Sequence, residues 1–199
     1  KLKNTTAPFI LSCEDQLECT YDDDCESGMI TITSFANDDC TDSLDLLYLW
    51  ELDLDDDGSI DETGEGISFE RELVLGAHRV FWKVEDGCGN ASTCDYRIDV
   101  RDCKNPTPYC NSSITTTIMP ESGSIDVWAT DYDYGSTDNC TAQEDLLFSF
   151  STNVNDNVRV ITCDSIENGV AQSFTYNLYV TDEWGNQEIC TVTFIVQDN

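Results

Sequence analysis

An acidic loop with the spacing of a metal site occupies residues 53–61. Its carboxylates recur at alternate positions, and Gly58 stands where a calcium loop of the EF-hand type needs a sharp turn. Five aspartates in nine residues repel one another unless a cation lies between them. Ca²⁺ prefers oxygen ligands of this kind. We therefore predict a Ca²⁺ site whose ligands are Asp53, Asp55, Asp57, the carbonyl of Ser59, and Asp61.

This loop departs from the EF-hand pattern at its end, because the residue in the place of the usual final glutamate is Gly64. Glu62 or Glu65 could replace that ligand, or the loop could be of the shorter kind found in secreted repeat proteins. The sequence shows no flanking helices, so we do not expect a calcium sensor. The competing interpretation is a solvated acidic turn.

A second acidic group precedes Cys140 and contains Asp131, Asp133 and Asp138. It offers carboxylate oxygens but lacks the alternating order that ends in glycine. We treat it as a second metal-site hypothesis, with an acidic surface loop as the alternative.

Catalytic motifs are missing from the sequence. There is one histidine, His78, and there is no serine-hydrolase elbow, zinc-protease motif or phosphate-binding glycine loop. Two small domains also leave little room for a deep cleft. We therefore do not expect an enzyme.

The charge balance excludes several partners. The chain carries 40 acidic residues against 9 lysines and arginines, for a net charge of −31. Such a surface repels nucleic acid and anionic membranes, which bind through cationic side chains. No segment is apolar over a length that would span a membrane, so membrane insertion is not expected.

The 11 cysteines favour an oxidising compartment, because no Cys-x-x-Cys pair of the zinc type is present. We predict a secreted, extracellular protein. The chain begins at Lys1 without a visible signal peptide, which suggests an internal segment of a longer exported protein.

An internal repeat organises the chain. Residues 80–102 align without a gap with residues 176–198 at seven identical positions, and residues 40–50 align with residues 140–150. We predict two repeats, 7–102 and 109–198, joined by a stiff linker at 103–108 that contains two prolines.

Alternating apolar and polar residues predict strands at 30–33, 125–129 and 191–196. The segments Asp-Gly-Cys-Gly-Asn and Asp-Glu-Trp-Gly-Asn are turn sequences between the last two strands of each repeat. Several short strands in about 95 residues predict an all-β fold of two tandem immunoglobulin-like β-sandwich modules, held by disulfides.

The internal repeat reduces the number of possible disulfide pairings but does not determine a single set. Cysteines at the start, in the middle and in the last strand correspond between the repeats, and Cys103 is left over, to pair outside this segment or to compete for Cys110. The simplest pairing is Cys13–Cys94, Cys40–Cys88, Cys19–Cys25, Cys110–Cys190 and Cys140–Cys163.

The strand that ends in Val-x-Asp, the Gly-Asn turn and the following Cys-x-x-x-x-x-Val-x-Asp resemble the hyalin-repeat class of immunoglobulin-like modules. The segments 102–110, 131–141 and 181–187 are also similar to tandem repeats in very large secreted proteins of Bacteroidota-type gliding bacteria. That resemblance implies an adhesin or surface-appendage subunit, exported by the type IX route.

Two functions are therefore open. The first is a structural or adhesive repeat of a large surface or filament protein, stiffened by calcium and disulfides, with neighbouring repeats, other copies, or surface glycans and proteins as partners. The alternative is a calcium-dependent carbohydrate- or protein-binding module of a secreted multidomain protein.

Overall fold

The structure, a computed structural model, describes residues 4–21, 23, 25–111, 114–166 and 170–197. The chain divides into two compact units between Asp102 and Cys103. The segment 103–108, predicted as a linker, therefore belongs to the second unit. Asp198, the last residue of the second predicted repeat, lies outside the described residues.

The described part of the first unit is built from strands and turns. Its strands are β1 Phe9–Ile10, β2 Gln16–Thr20, β3 Ser27–Thr33, β4 Ala36–Asn37, β5 Leu47–Asp53, β6 Glu62–Glu65, β7 Ser68–Val74, β8 Gly76–Glu85 and β9 Ala91–Asp102.

Besides the short two-stranded sheet of β1 and β4, two facing sheets make the first unit a sandwich. One sheet has the order β2-β9-β8-β5-β6, and the other pairs β3 with β7. The chain alternates between them, from β3 to β5 and from β7 to β8, as in immunoglobulin-like folds. The strand β2 runs parallel to β9, whereas β8 and β9 are antiparallel.

The second unit repeats this plan. Its elements are β10 Thr115–Ile118, β11 Ser124–Trp128, β12 Leu147–Ser149, β13 Val158–Thr162, β14 Gln172–Thr181 and β15 Gln187–Gln197, with short 3₁₀ helices at Ala129–Tyr132, Gln143–Asp145 and Cys163–Ser165. One sheet has the order β10-β15-β14-β12 and the other pairs β11 with β13. The predicted all-β, immunoglobulin-like sandwich fold is confirmed. None of the described helices has the length and apolar character needed to cross a membrane.

Each unit has its own hydrophobic core, supplied by the inward faces of alternating strands. In the first unit, Trp82 and Ile98 from one sheet meet Leu73 from the other, and all three are almost fully buried. In the second unit Leu178 and Phe194 take the corresponding places. Burial of these side chains is the main favourable contribution to folding.

The shared turn between the last two strands has the same construction in both units. Asp86 Oδ1 accepts the backbone N–H groups of Cys88 and Asn90 at 2.8 and 2.7 Å, and its Oδ2 accepts the Asn90 side-chain amide at 2.7 Å. Asp182 makes the equivalent bonds with Trp184 and Asn186. The repeated Asp and Asn are therefore explained by the turn that they hold.

Disulfides close each unit across most of its length. Cys13 is bonded to Cys94 and Cys110 to Cys190, with Cα separations of 5.9 and 6.3 Å; both pairs are those that the sequence predicts. The bonds span 81 and 80 residues. Further disulfide-bonded cysteines are Cys19, Cys25, Cys103 and Cys140.

Two predicted disulfides are wrong. Cys140 is bonded but Cys163 is an exposed free thiol, so the predicted Cys140–Cys163 bond does not exist. Cys103, which the sequence leaves unassigned, is disulfide-bonded. The alignment of the repeats fails here because it contains no information on which Cβ atoms approach within bonding range.

Cys40 and Cys88 are both exposed free thiols, so the predicted Cys40–Cys88 bond is also wrong. Partial desolvation of the exposed thiol, together with the nearby Asp39, Asp38 and the Cys88 thiol, raises the pKa of Cys40. A raised pKa favours the protonated thiol, whereas the thiolate is the form that enters disulfide exchange.

Candidate cation site

The acidic loop lies between two paired strands at one edge of the larger sheet of the first unit. Leu52 of β5 pairs with Glu62 of β6 in antiparallel register. The Asp61 N–H donates to the Leu52 carbonyl at 2.9 Å, so the chain reverses over residues 54–61. Asp56 and Gly58 have φ values of 52° and 93°, and the glycine meets this requirement without steric cost.

Asp53 is the organising residue of the loop. Its side chain is fully buried, and it accepts N–H groups from Asp55 at 3.3 Å, Asp57 at 3.2 Å and Gly58 at 2.8 Å. Burial opposes ionisation, but these three donors outweigh it and hold the pKa of Asp53 below its ordinary value. The loop is therefore wrapped around a carboxylate that remains charged.

Three carboxylates converge in this loop. One oxygen from each of Asp53, Asp55 and Asp61 lies within 4.8 Å of the others. Asp61 is fixed by the Leu54 N–H, which donates to its Oδ2 at 2.7 Å. Burial and the charge of Asp57 raise the pKa of Asp55, as expected where carboxylates crowd together. A set of oxygen donors alone suits a hard divalent cation such as Ca²⁺.

The structure does not place every predicted ligand in this cluster. The Asp57 carboxylate accepts the Ser59 N–H at 2.7 Å, and Asp57 is not a member of the group that surrounds Asp53. Ser59 is exposed, and the role of its carbonyl as a ligand stays a prediction. Of the four predicted carboxylate ligands, Asp53, Asp55 and Asp61 therefore come together and Asp57 does not.

Gly64, the residue in the place of the final EF-hand glutamate, has a packing role. It pairs directly with Trp50 on β5. A Cβ at this position would lie 2.2 Å from the Trp50 ring. The indole in turn stacks on Phe69, with ring centroids 3.9 Å apart. The position therefore excludes a side chain, and a glutamate ligand with it.

Two contacts that anchor the loop could not be found from the sequence. Arg79 Nε donates to the Asp56 carboxylate at 2.7 Å, and Arg79 also pairs with Asp95. His78 is almost fully buried, with Nδ1 2.6 Å from the Leu54 carbonyl and Nε2 2.8 Å from the Val74 carbonyl. Only the adjacency of β8 to β5 brings these residues to the loop.

The second predicted set is not assembled. Among the described residues, Asp131, Asp133 and Asp138 do not form a cluster of potential metal ligands. Each serves its own turn: Asp131 accepts the Trp128 N–H at 3.3 Å and Asp133 accepts the Ser136 N–H at 2.8 Å. Asp138 accepts the backbone N–H groups of the two residues that follow Asn139.

No protein-family model and no curated protein matches this sequence. Solved structures with a similar chain trace include the fibronectin(III)-like modules of Clostridium thermocellum CbhA, at 8% identity and a TM-score of 0.40, covering 96% of this chain and 95% of that one. Protocadherin gamma B2 extracellular cadherin domains 3–6 match at 14% identity and a TM-score of 0.41, covering 97% of this chain and 51% of that one.

A Bacteroides ovatus glucan-utilisation protein, SGBP-B, matches at 15% identity and a TM-score of 0.36, over 96% of this chain. The chain spans about half of its length, 48%. Similarities at this level do not assign an activity to the chain.

Proposed function

We propose that this chain is a load-bearing repeat segment of a large extracellular adhesive protein, in which disulfides and calcium keep each unit stiff. The observation that supports the proposal best is the position of the bonds Cys13–Cys94 and Cys110–Cys190. Each joins the start of a unit to its last strand. Tension applied across a unit passes through the sulfur atoms, and the 80 or so residues between them are shielded from it.

The sheet order supports the same function. In the first unit β2, which follows Cys13, lies parallel to the part of β9 that follows Cys94. In the second unit β10 is likewise parallel to the end of β15. The entering and leaving segments of each unit are thus side by side, tied by both hydrogen bonds and a disulfide.

The proposed partners follow from the surface. Neighbouring repeats of the same long chain are the first, and other copies or cell-surface glycans and proteins are the second. A net charge of −31 disfavours nucleic acid and anionic membrane. The resemblance to repeats of gliding bacteria extends the proposal to a surface appendage exported by the type IX route.

Calcium is proposed to act at Asp53, Asp55 and Asp61. Chelation of Ca²⁺ is expected to lower the melting temperature of the oxidised chain, because an ion that binds only the native state stabilises it by mass action. At a free Ca²⁺ concentration about a hundred times Kd the stabilisation is about 2.7 kcal/mol, which corresponds to about ten degrees or more for a unit of this size. Thermal unfolding with Ca²⁺ and with excess chelator measures this difference.

The variant Asp55→Asn tests the site, since Asp55 is exposed and fewer backbone groups depend on it than on Asp53. We expect it to weaken Ca²⁺ binding at the loop and so to reduce the calcium-dependent shift in melting temperature. Glu51→Gln is the matched control: it removes an exposed carboxylate from the strand that leads into the loop. If calcium shifted the melting temperature equally in wild type and Asp55→Asn, or in neither, the loop would be only a solvated acidic turn.

A further inference from the structure

Two further aspartates recur at corresponding sequence positions of both units, outside the acidic loop. One member precedes the aligned Cys-Thr sequence, as Asp38 in the first unit and Asp138 in the second. The other is the aspartate that holds the turn before the last strand, Asp86 or Asp182. No function is predicted from the sequence for Asp38, Asp86 or Asp182.

In the second unit the two carboxylates approach each other. One oxygen of Asp138 lies within 4.8 Å of one oxygen of Asp182, and Asp182 is only 2% exposed. The segments that carry them are joined by a hydrogen bond, because the Glu183 N–H donates to Thr141 Oγ1 at 3.1 Å. The pair is therefore a fixed feature of this unit.

One oxygen of this pair has no hydrogen bond. Asp138 Oδ2 accepts the N–H groups of Cys140 and Thr141, both at 2.8 Å. Asp138 Oδ1 exposes less than 1 Å² and has no hydrogen-bond partner. The backbone thus fixes the carboxylate while its other oxygen is withdrawn from water without compensation.

The first unit shows the same feature more strongly. Both carboxylate oxygens of Asp38 expose less than 1 Å² each, and neither has a hydrogen-bond partner. Asp86 is 5% exposed and is held by the turn as Asp182 is. The first unit therefore has an aspartate with unpartnered buried oxygens and a turn aspartate at the sequence positions that correspond to Asp138 and Asp182.

Burying an ionised carboxylate without a partner costs several kcal/mol in general, and a second carboxylate beside it adds repulsion. Burial and the nearby Asp138 raise the pKa of Asp182 despite the three hydrogen bonds of its turn. A cation held between the two groups would remove both costs. Carboxylate oxygens oriented by backbone N–H donors are suited to a hard divalent ion, with water completing its coordination.

We propose that Asp138 and Asp182 bind a divalent cation of the calcium class, and that Asp38 and Asp86 form the equivalent site in the first unit. These sites are independent of the acidic loop. Their function would be to fix the turn before the last strand to the segment that precedes the aligned Cys-Thr sequence.

The test uses the full chain in which Asp53, Asp55 and Asp61 are changed to Asn, so that the acidic loop no longer binds. Isothermal titration with CaCl₂ should still detect binding in this background. Adding Asp138→Asn should remove about half of the bound calcium, and adding Asp38→Asn as well should remove the rest, with affinity losses of about tenfold or more for each altered site. Asp126→Asn, an exposed aspartate on β11, should have no effect.

A second measurement needs no aspartate variant at these sites. Addition of Mn²⁺ to the loop-deficient chain should broaden the amide signals of Glu183 and Trp184 in nuclear magnetic resonance spectra before those of strand β13, which belongs to the other sheet. Absence of calcium binding in the loop-deficient chain, binding that survives Asp138→Asn and Asp38→Asn together, or broadening without preference for this turn would overturn the proposal. Failure of the acidic loop to bind would leave these results unchanged.

Discussion

Replacing Cys13 and Cys94 with alanine lowers the free energy of unfolding of the first unit by about 4.5 kcal/mol, the chain-entropy value for a bond that closes about 81 residues. The bond acts mainly by restricting the unfolded chain. Because native domains are stable by only about 5–15 kcal/mol, the loss is a large fraction of the stability of this unit. Chemical denaturation followed by tryptophan fluorescence measures the loss.

The matched control removes the two cysteines of the same unit that have free thiols. Cys40 and Cys88 are exposed and unbonded, so changing both to alanine should alter the free energy of unfolding by no more than about 0.5 kcal/mol. If both double variants lost the same free energy of unfolding, the loss could not be attributed to the Cys13–Cys94 bond.

Gly64→Ala is the second substitution with a large expected effect. The new methyl group would lie 2.2 Å from Trp50 Cζ2 and 2.6 Å from Trp50 Cε2, and the stack on Phe69 restricts the movement of the ring. We expect a loss of about 1–3 kcal/mol, the usual cost of overpacking. The near-ultraviolet circular dichroism of tryptophan should change as well.

Gly87→Ala is the control for this substitution. A Cβ at Gly87 meets nothing within 4 Å, and its φ is not among the positive values of the described glycines. Its free energy of unfolding should stay within about 0.5 kcal/mol of wild type. A Gly64→Ala variant as stable as Gly87→Ala would contradict the packing described for β5 and β6.

Local signals in the sequence predict much of the fold. The Asp-x-x-Gly-Asn turns are recognisable because one aspartate caps two backbone N–H groups and its own asparagine, a contact made within five residues. The strand β11 is visible as an alternation, and its burial follows that pattern at Ile125 and Val127. Features determined within a few residues are therefore accessible from the sequence alone.

Features that depend on which strands lie side by side are not accessible from the sequence alone. The parallel pairing of β2 with β9 joins residues about 80 positions apart, and no local pattern specifies it. The clamp of Arg79 on Asp56 arises only once β8 lies beside β5. The wrong bonds assigned to Cys40 and Cys140 have the same origin, since an alignment of repeats does not contain interatomic distances.

The acidic loop is predictable from the sequence only in part. Its spacing identifies Asp53, Asp55 and Asp61, because alternation around a glycine turn is a local property. The exclusion of Asp57 from the cluster depends on the capping of Ser59, and the glycine at position 64 is required by a tryptophan on the neighbouring strand. The motif thus indicates the kind of site, and the packing determines its members.

The extension of single molecules under force tests most directly whether these units bear load. The oxidised 199-residue chain is pulled from its ends and should lengthen by only tens of ångströms per unit, from the segments outside the disulfides. After reduction each unit should unfold and release about 270 Å more, since about 81 residues contribute about 3.3 Å each. Oxidised units that release the full length at the force that unfolds reduced ones would contradict a load-bearing role.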